Sequence, residues 1–163
     1  MISNRSGNPL LRLMEPRDLE AVSSQFVRLY RHLNGMGYLH RLNEPGVPDY
    51  LRLLMDSKRN AVLVVEEDGG VAAFLTLLTQ PVSRKFTADY GRFTGIGGEM
   101  FIEEPYRGRG YAPMMLSWGE DFFRGLGVRL IDLTVVKENL RSLNIWLEMG
   151  YKEKTIGLVK LLD

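Results

Sequence analysis

Six glycines, Gly91, Gly95, Gly97, Gly98, Gly108 and Gly110, crowd into one stretch of 20 residues. Glycine enters left-handed backbone without steric cost and lets another backbone or a ligand come close. Gly98–Glu103 reads as a strand, and the glycines at its start predict a bulge. Glu104-Pro-Tyr-Arg-Gly-Arg-Gly110 then reads as a tight connection. A helix follows over about 112–125, with Met115, Trp118, Phe122 and Leu126 on its buried stripe and Gly127 to end it. A glycine-rich turn between a strand and a helix N-terminus leaves main-chain N–H groups unpaired at the positive end of the helix dipole. Such an end suits a phosphate. Arg107 and Arg109 add two charges, while Gly108, Gly110 and Ala112 keep the approach clear. The Gly-Lys-Ser/Thr ending of a Walker loop is missing, and Pro113 stands where the dinucleotide fingerprint needs its third glycine. The bland alternative is a helix-capping turn carrying two solvated arginines.

A chain of 163 residues has the length of one domain. We expect it over residues 10–163, after a leader at 1–9. Leu10–Met14 reads as a strand. Pro16 and Asp18 open a helix whose stripe is Leu19, Val22, Phe26, Leu29 and Leu33, and Asn34-Gly-Met-Gly37 stops it. A shorter helix is expected over 47–57. Strands 61–66 and 71–79 flank Glu67-Asp-Gly-Gly70, a hairpin signal. Residues 81–93 form a polar connection. After the glycine turn and its helix come a strand over 130–136, a helix capped by Asn139, and two final strands over 151–156 and 158–162. The order β-α-α-β-β-β-α-β-α-β-β is a mixed α/β sheet, neither Rossmann fold nor barrel.

Composition removes several kinds of chemistry. There is no cysteine, so disulfides, thiolate nucleophiles and cysteine-ligated metals are out. Two histidines do not make a histidine-rich metal site. A net charge of +1, spread evenly, argues against nucleic acid or an anionic membrane as the main partner. Neither a membrane-spanning run nor a secretory signal is present, so the expected compartment is the cytoplasm.

Arg107-Gly-Arg-Gly-Tyr-Ala112 resembles the Arg/Gln-x-x-Gly-x-Gly/Ala signature of the GCN5-related N-acetyltransferase (GNAT) superfamily. Asn139-Leu-Arg-Ser-Leu-Asn-Ile-Trp-Leu-Glu-Met-Gly-Tyr151 resembles that family's second motif, and Leu11–Asp18 its common opening. The two motifs start 32 residues apart and in the family's element order. The resemblance implies the GNAT fold, a mostly antiparallel sheet whose central strands splay apart. It also implies acetyl-CoA as acyl donor, with its pyrophosphate on the N–H groups of Arg107, Gly108, Arg109, Gly110, Tyr111 and Ala112. The pantetheine arm would lie along Met100, Phe101 and Ile102, with Asn139 touching it and Trp146 beside the acyl group. No metal is implied. Dimers are common in the family, but no interface can be read from this sequence.

An amine of pKa ~10 is almost wholly protonated at pH 7, so a base must accept its proton before attack. Glu99 occupies a strand position where the family often carries an acidic residue, and it is the first candidate. Its alternative is a solvent-facing strand glutamate. Strand alternation groups Glu99, Phe101 and Glu103 on one face unless the bulge reverses it. Asp132 is the second candidate, with structural hydrogen bonding as its alternative. Many relatives reprotonate the thiolate with a tyrosine where this chain has Trp146, and an indole N–H is no usable acid. Either water or another group such as Tyr111 must do so. His32, Tyr38 and His40 lie in the segment that covers the acceptor in this family, although each residue type serves equally in packing. The expected reaction is acetyl transfer to a primary amine of a small molecule by direct attack in a ternary complex. A protein N-terminus or lysine is the nearest alternative acceptor, and an acyl-CoA-binding module without turnover the alternative class.

Overall fold

Main-chain pairing in the computed structural model, which describes residues 8–162, joins five strands in the order β1-β2-β3-β4-β5. They are β1 (Leu10–Leu13), β2 (Ala61–Glu67), β3 (Gly70–Pro81), β4 (Phe93–Ile102) and β5 (Ile131–Asp132). The first three pairings are antiparallel and the last is parallel. The leader expected at 1–9 lies almost wholly outside the described residues. No described helix is long and apolar enough to cross a membrane.

β2 and β3 are apolar nearly throughout because both of their faces are covered. Helices α1 (Leu19–Gly35) and α2 (Val47–Met55) cover one face. There Val22, Phe26, Leu51 and Leu54 pack on Val62, Val64 and Phe74. Helices α3 (Tyr111–Gly125) and α4 (Leu140–Glu148) lie over the other. There Met115, Leu116, Phe123 and Trp146 pack with Leu63, Leu75 and Leu77. The expected hairpin is present: Asp68 and Gly69, at φ 53° and 80°, join the pair Glu67↔Gly70. A short 3-10 turn at Pro16–Asp18 precedes α1. Asn139 caps α4, its Oδ1 accepting from Ser142 N–H at 3.2 Å.

Three expectations need correction. β4 starts at Phe93 rather than at 98, and β3 extends to Pro81 to pair with it. Its glycines are sites of close approach, not breaks. A Cβ on Gly95 would stand 3.1 Å from the Phe123 ring, and one on Gly97 3.2 Å from Leu133. Second, the strand expected over 130–136 is only Ile131–Asp132. Third, residues 151–162 form no strand. A strand needs a partner to satisfy its N–H and C=O groups, and the two residues of β5 offer almost no ladder to extend. Ile156 and Leu158 are accordingly about nine-tenths exposed, at 90% and 91%.

Candidate active site

β4 carries the bulge that its glycines predict. Leu75 pairs with Met100 and Leu77 with Gly97, so Thr76 alone faces both Gly98 and Glu99. A Cβ on Gly98 would fall 2.2 Å from Thr76 Oγ1, so glycine is required there. The buried Thr76 hydroxyl accepts from Glu99 N–H at 2.8 Å and donates to Glu99 Oε2 at 2.6 Å. Tyr30 of α1 donates to the other carboxylate oxygen at 2.8 Å. Burial, then the Glu99 charge, pushes Tyr30 well above the usual phenol range, so it stays a donor. Glu99, Phe101 and Glu103 do share one face, because the bulge closes at Glu99 and regular alternation runs from there to Ile102. Phe101 lies under the Arg28 guanidinium, and Glu103 takes Arg28 and Gln25.

Glu99 opens into a cleft of about 410 Å³ between α1, α2 and β4. Phe26, Tyr30, Leu42, Val47 and Tyr50 line it. Burial, then Glu99, also raises Tyr50 well above the phenol range.

The far edge of β4 is bare. β5 pairs only with Gly95 and Ile96. Beyond that point Leu133 and the buried Trp146 sit against Gly97, and the two strands part. Glu103 N–H donates to Ala72 O at 2.9 Å, so by antiparallel alternation Phe101 exchanges bonds with Phe74. The N–H and C=O groups of Met100 and Ile102 therefore point away from β3, into the gap. Arg107 Nε bonds Ile102 O there at 3.0 Å.

At the top of the gap, Gly108 and Gly110 adopt φ 76° and 82° with open space where a side chain would stand. No acceptor among the described residues takes the N–H groups of Gly108, Arg109, Gly110, Tyr111 or Ala112. Five successive donors at the start of a 15-residue helix are chemically suited to a diphosphate. Arg109 is less available than its place in the motif implies. It pairs with the buried Glu67 at 3.0 Å and lies 5.0 Å over the Tyr106 ring. The Tyr111 hydroxyl donates to the same Glu67, which ties the loop to the end of β2 and leaves Tyr111 no free proton to give. Burial, then Glu67, raises the Tyr111 phenol.

The other candidates are dispersed. Trp146 Nε1 donates to Ser142 Oγ at 3.2 Å and the ring packs edge-on against Tyr151, 5.0 Å away. Asp132 is exposed, without a side-chain partner among the described residues, and outside the cleft lining. Tyr38 meets Tyr30 at 6.0 Å and His40 meets Tyr38 at 5.6 Å, a row of rings that leads away from Tyr30, with neither residue in the cleft lining. His32 is exposed and lies about 200° round α1 from Tyr30. Thr76, Tyr30, Tyr50 and Glu67 escaped the sequence reading. Only a signal of tertiary pairing would have found them, because a threonine in an apolar strand and tyrosines on an apolar stripe read as core.

The acetyltransferase (GNAT) family model matches residues 26–151. No curated protein matches the chain. Among solved structures, an aminoglycoside N-acetyltransferase in complex with CoA is 14% identical, with TM-score 0.78 over 99% of each chain. A predicted acetyltransferase with acetyl-CoA from Clostridium acetobutylicum is 16% identical, with TM-score 0.76 over 94% of this chain and 96% of that one. A transcriptional regulator from Bacillus halodurans is 17% identical, with TM-score 0.76 over 95% and 100%. At such identities the likeness is one of fold. The family match spans most of the chain, and the glycine turn and the Asn139 helix both lie inside it: the chain belongs to the acetyltransferase (GNAT) family.

Proposed function

We propose that the protein moves an acetyl group from acetyl-CoA to a primary amine of a small molecule, by direct attack in a ternary complex. One adjacency carries this reading. The main chain of Met100 faces the gap between β4 and β5, while the side chain just before it, Glu99, heads the cleft on the α1–α2 face. Donor and acceptor would thus meet across one peptide unit.

When bound, acetyl-CoA supplies a thioester carbonyl. The N–H groups of residues 108–112 would hold its diphosphate, and the free edge at Met100 and Ile102 would pair with the amides of its arm as an added strand does. Edge N–H groups also offer hydrogen bonds to charge developing on the carbonyl oxygen. Tyr30 and Thr76 fix both oxygens of Glu99 and leave each a lone pair for the ammonium. Glu99 accepts the amine's proton, directly or through water. The C–N bond then forms as the C–S bond breaks, and the nitrogen, which enters that bond with two protons, releases one of them to solvent. The departing sulfur takes its proton from solvent, since Trp146 cannot act as an acid and Tyr111 is committed to Glu67.

Glu99→Gln tests the role. Turnover should fall about 100-fold, the usual scale of general-base removal, with affinity for coenzyme A unchanged. Unchanged kcat would remove Glu99 from the chemistry. Tight binding of coenzyme A with no acceptor-dependent thiol release, across a broad amine panel, would instead favour an acyl-CoA-binding module.

A further inference from the structure

Within the transferase reading, and resting on it, we infer that the cleft selects an acceptor with a single ammonium group on an apolar body, such as an aryl- or alkyl-monoamine, over a polycation or a polyol. Glu99 is the one carboxylate in the lining, which holds no lysine, arginine or histidine. The carboxylates that adjoin the lining in sequence are already paired, Glu44 with Arg31 at 3.0 Å and Asp49 with Arg52 at 2.7 Å. A second or third ammonium entering the cleft would find no carboxylate to meet it, and desolvating an unpaired charge is costly.

The walls match a monocation. Tyr30 and Tyr50 present rings beside Glu99, and ring faces attract a cation, more so where water is excluded. Phe26, Leu42 and Val47 complete an apolar surface that has nothing to offer a row of hydroxyls. The Asn43 amide is the remaining polar side chain of the lining. A volume of about 410 Å³ suits a small ligand whose polar end is held at one point.

The test is equilibrium titration of the whole chain saturated with coenzyme A, which occupies the donor side without permitting transfer. The probes are 2-phenylethylamine, its uncharged isostere 2-phenylethanol, and the polycationic neamine. The amine should bind about tenfold or more tighter than the alcohol, the scale of one charge-assisted hydrogen bond. That preference should collapse towards unity in Glu99→Gln, and Tyr50→Leu should weaken amine binding about fivefold, the scale of a cation–π contact. Equal affinity for amine and alcohol in the unaltered protein, or tighter binding of neamine than of phenylethylamine, overturns the inference. A parallel assay with acetyl-CoA reads the transferase separately. Acetylation of neamine but not of phenylethylamine removes the monoamine cleft and keeps the transferase. Selective binding of the amine with no acetylation keeps the cleft and removes the transferase.

Discussion

β2 and β3 pair over seven register positions and are buried on both faces, whereas β5 pairs over two and almost everything after Tyr151 lies in solvent. The two regions do different jobs. The β1–β4 sheet with its two cores is rigid enough to force two residues of β4 against one threonine and so aim Glu99. The β4–β5 margin is held apart by Leu133 and Trp146, and the backbone groups it fails to pair are the ones the donor would use. The sheet's strength lies where Glu99, the proposed base, is set, and its incompleteness lies where the proposed donor would pair.

If that contrast is right, the largest losses of stability come from the tight region. Phe74 stacks on Phe26 and Phe101 at 5.7 and 6.5 Å, fully buried. Phe74→Ala should cost about 3–5 kcal/mol, read by urea unfolding. A loss under about 1 kcal/mol would show that the core beneath α1 and α2 does not hold this region together. Next in size is the bidentate Arg12–Asp18 pair at 2.6 and 2.8 Å, which Glu66 extends. Burial would raise the Asp18 carboxyl, but Arg12 and Glu15 N–H outweigh it and hold it below the usual carboxylate range. Its stabilising contribution is thus full above the ordinary value of ~3.9 and disappears as pH falls through the lowered one. Asp18→Asn should cost about 3 kcal/mol at neutral pH, and the gap to the unaltered protein should close in acid. A gap independent of pH would assign the loss to packing.

A third test strikes the join between the regions. Gly98→Val forces a Cβ onto Thr76 and must shift the bulge. It should cost about 1–3 kcal/mol, as overpacking does, and lower kcat/KM more than it lowers affinity for coenzyme A. Equal losses in both would mean that the bulge serves the donor side as well. The smallest effect belongs to the tail. Deleting everything after Lys152 should change stability by less than about 0.5 kcal/mol, because the side chains of residues 153–162 are exposed. A loss of several kcal/mol would show that the tail has a partner in solution.

The same contrast explains what was legible in the sequence. Several elements announce themselves by period and punctuation: the Val22, Phe26, Leu29 and Leu33 stripe at helical spacing, the Asp68-Gly69 turn, the Asn139 cap. The bulge at Gly98 was also legible, because the glycines at the start of the strand announced it, whereas Glu99 was singled out only through the family resemblance. The ends of β5 and of the tail did not. Leu158-Val-Lys-Leu-Leu162 has the composition of a strand, but composition does not supply a neighbour with free N–H and C=O groups. Nor could spacing show that Arg109 turns to Glu67, or that Tyr30 and Thr76 hold Glu99. Those are contacts between residues 42, 69 and 23 positions apart.

The central claim is that main-chain amides at the start of α3 take the diphosphate of the donor. Amide chemical shifts of nitrogen-15-labelled protein, followed as coenzyme A is added, test it most directly. The account predicts that the Gly108, Arg109, Gly110, Tyr111 and Ala112 resonances move most and together, with Met100 and Ile102 following. Saturable binding that leaves those five resonances in place would contradict it.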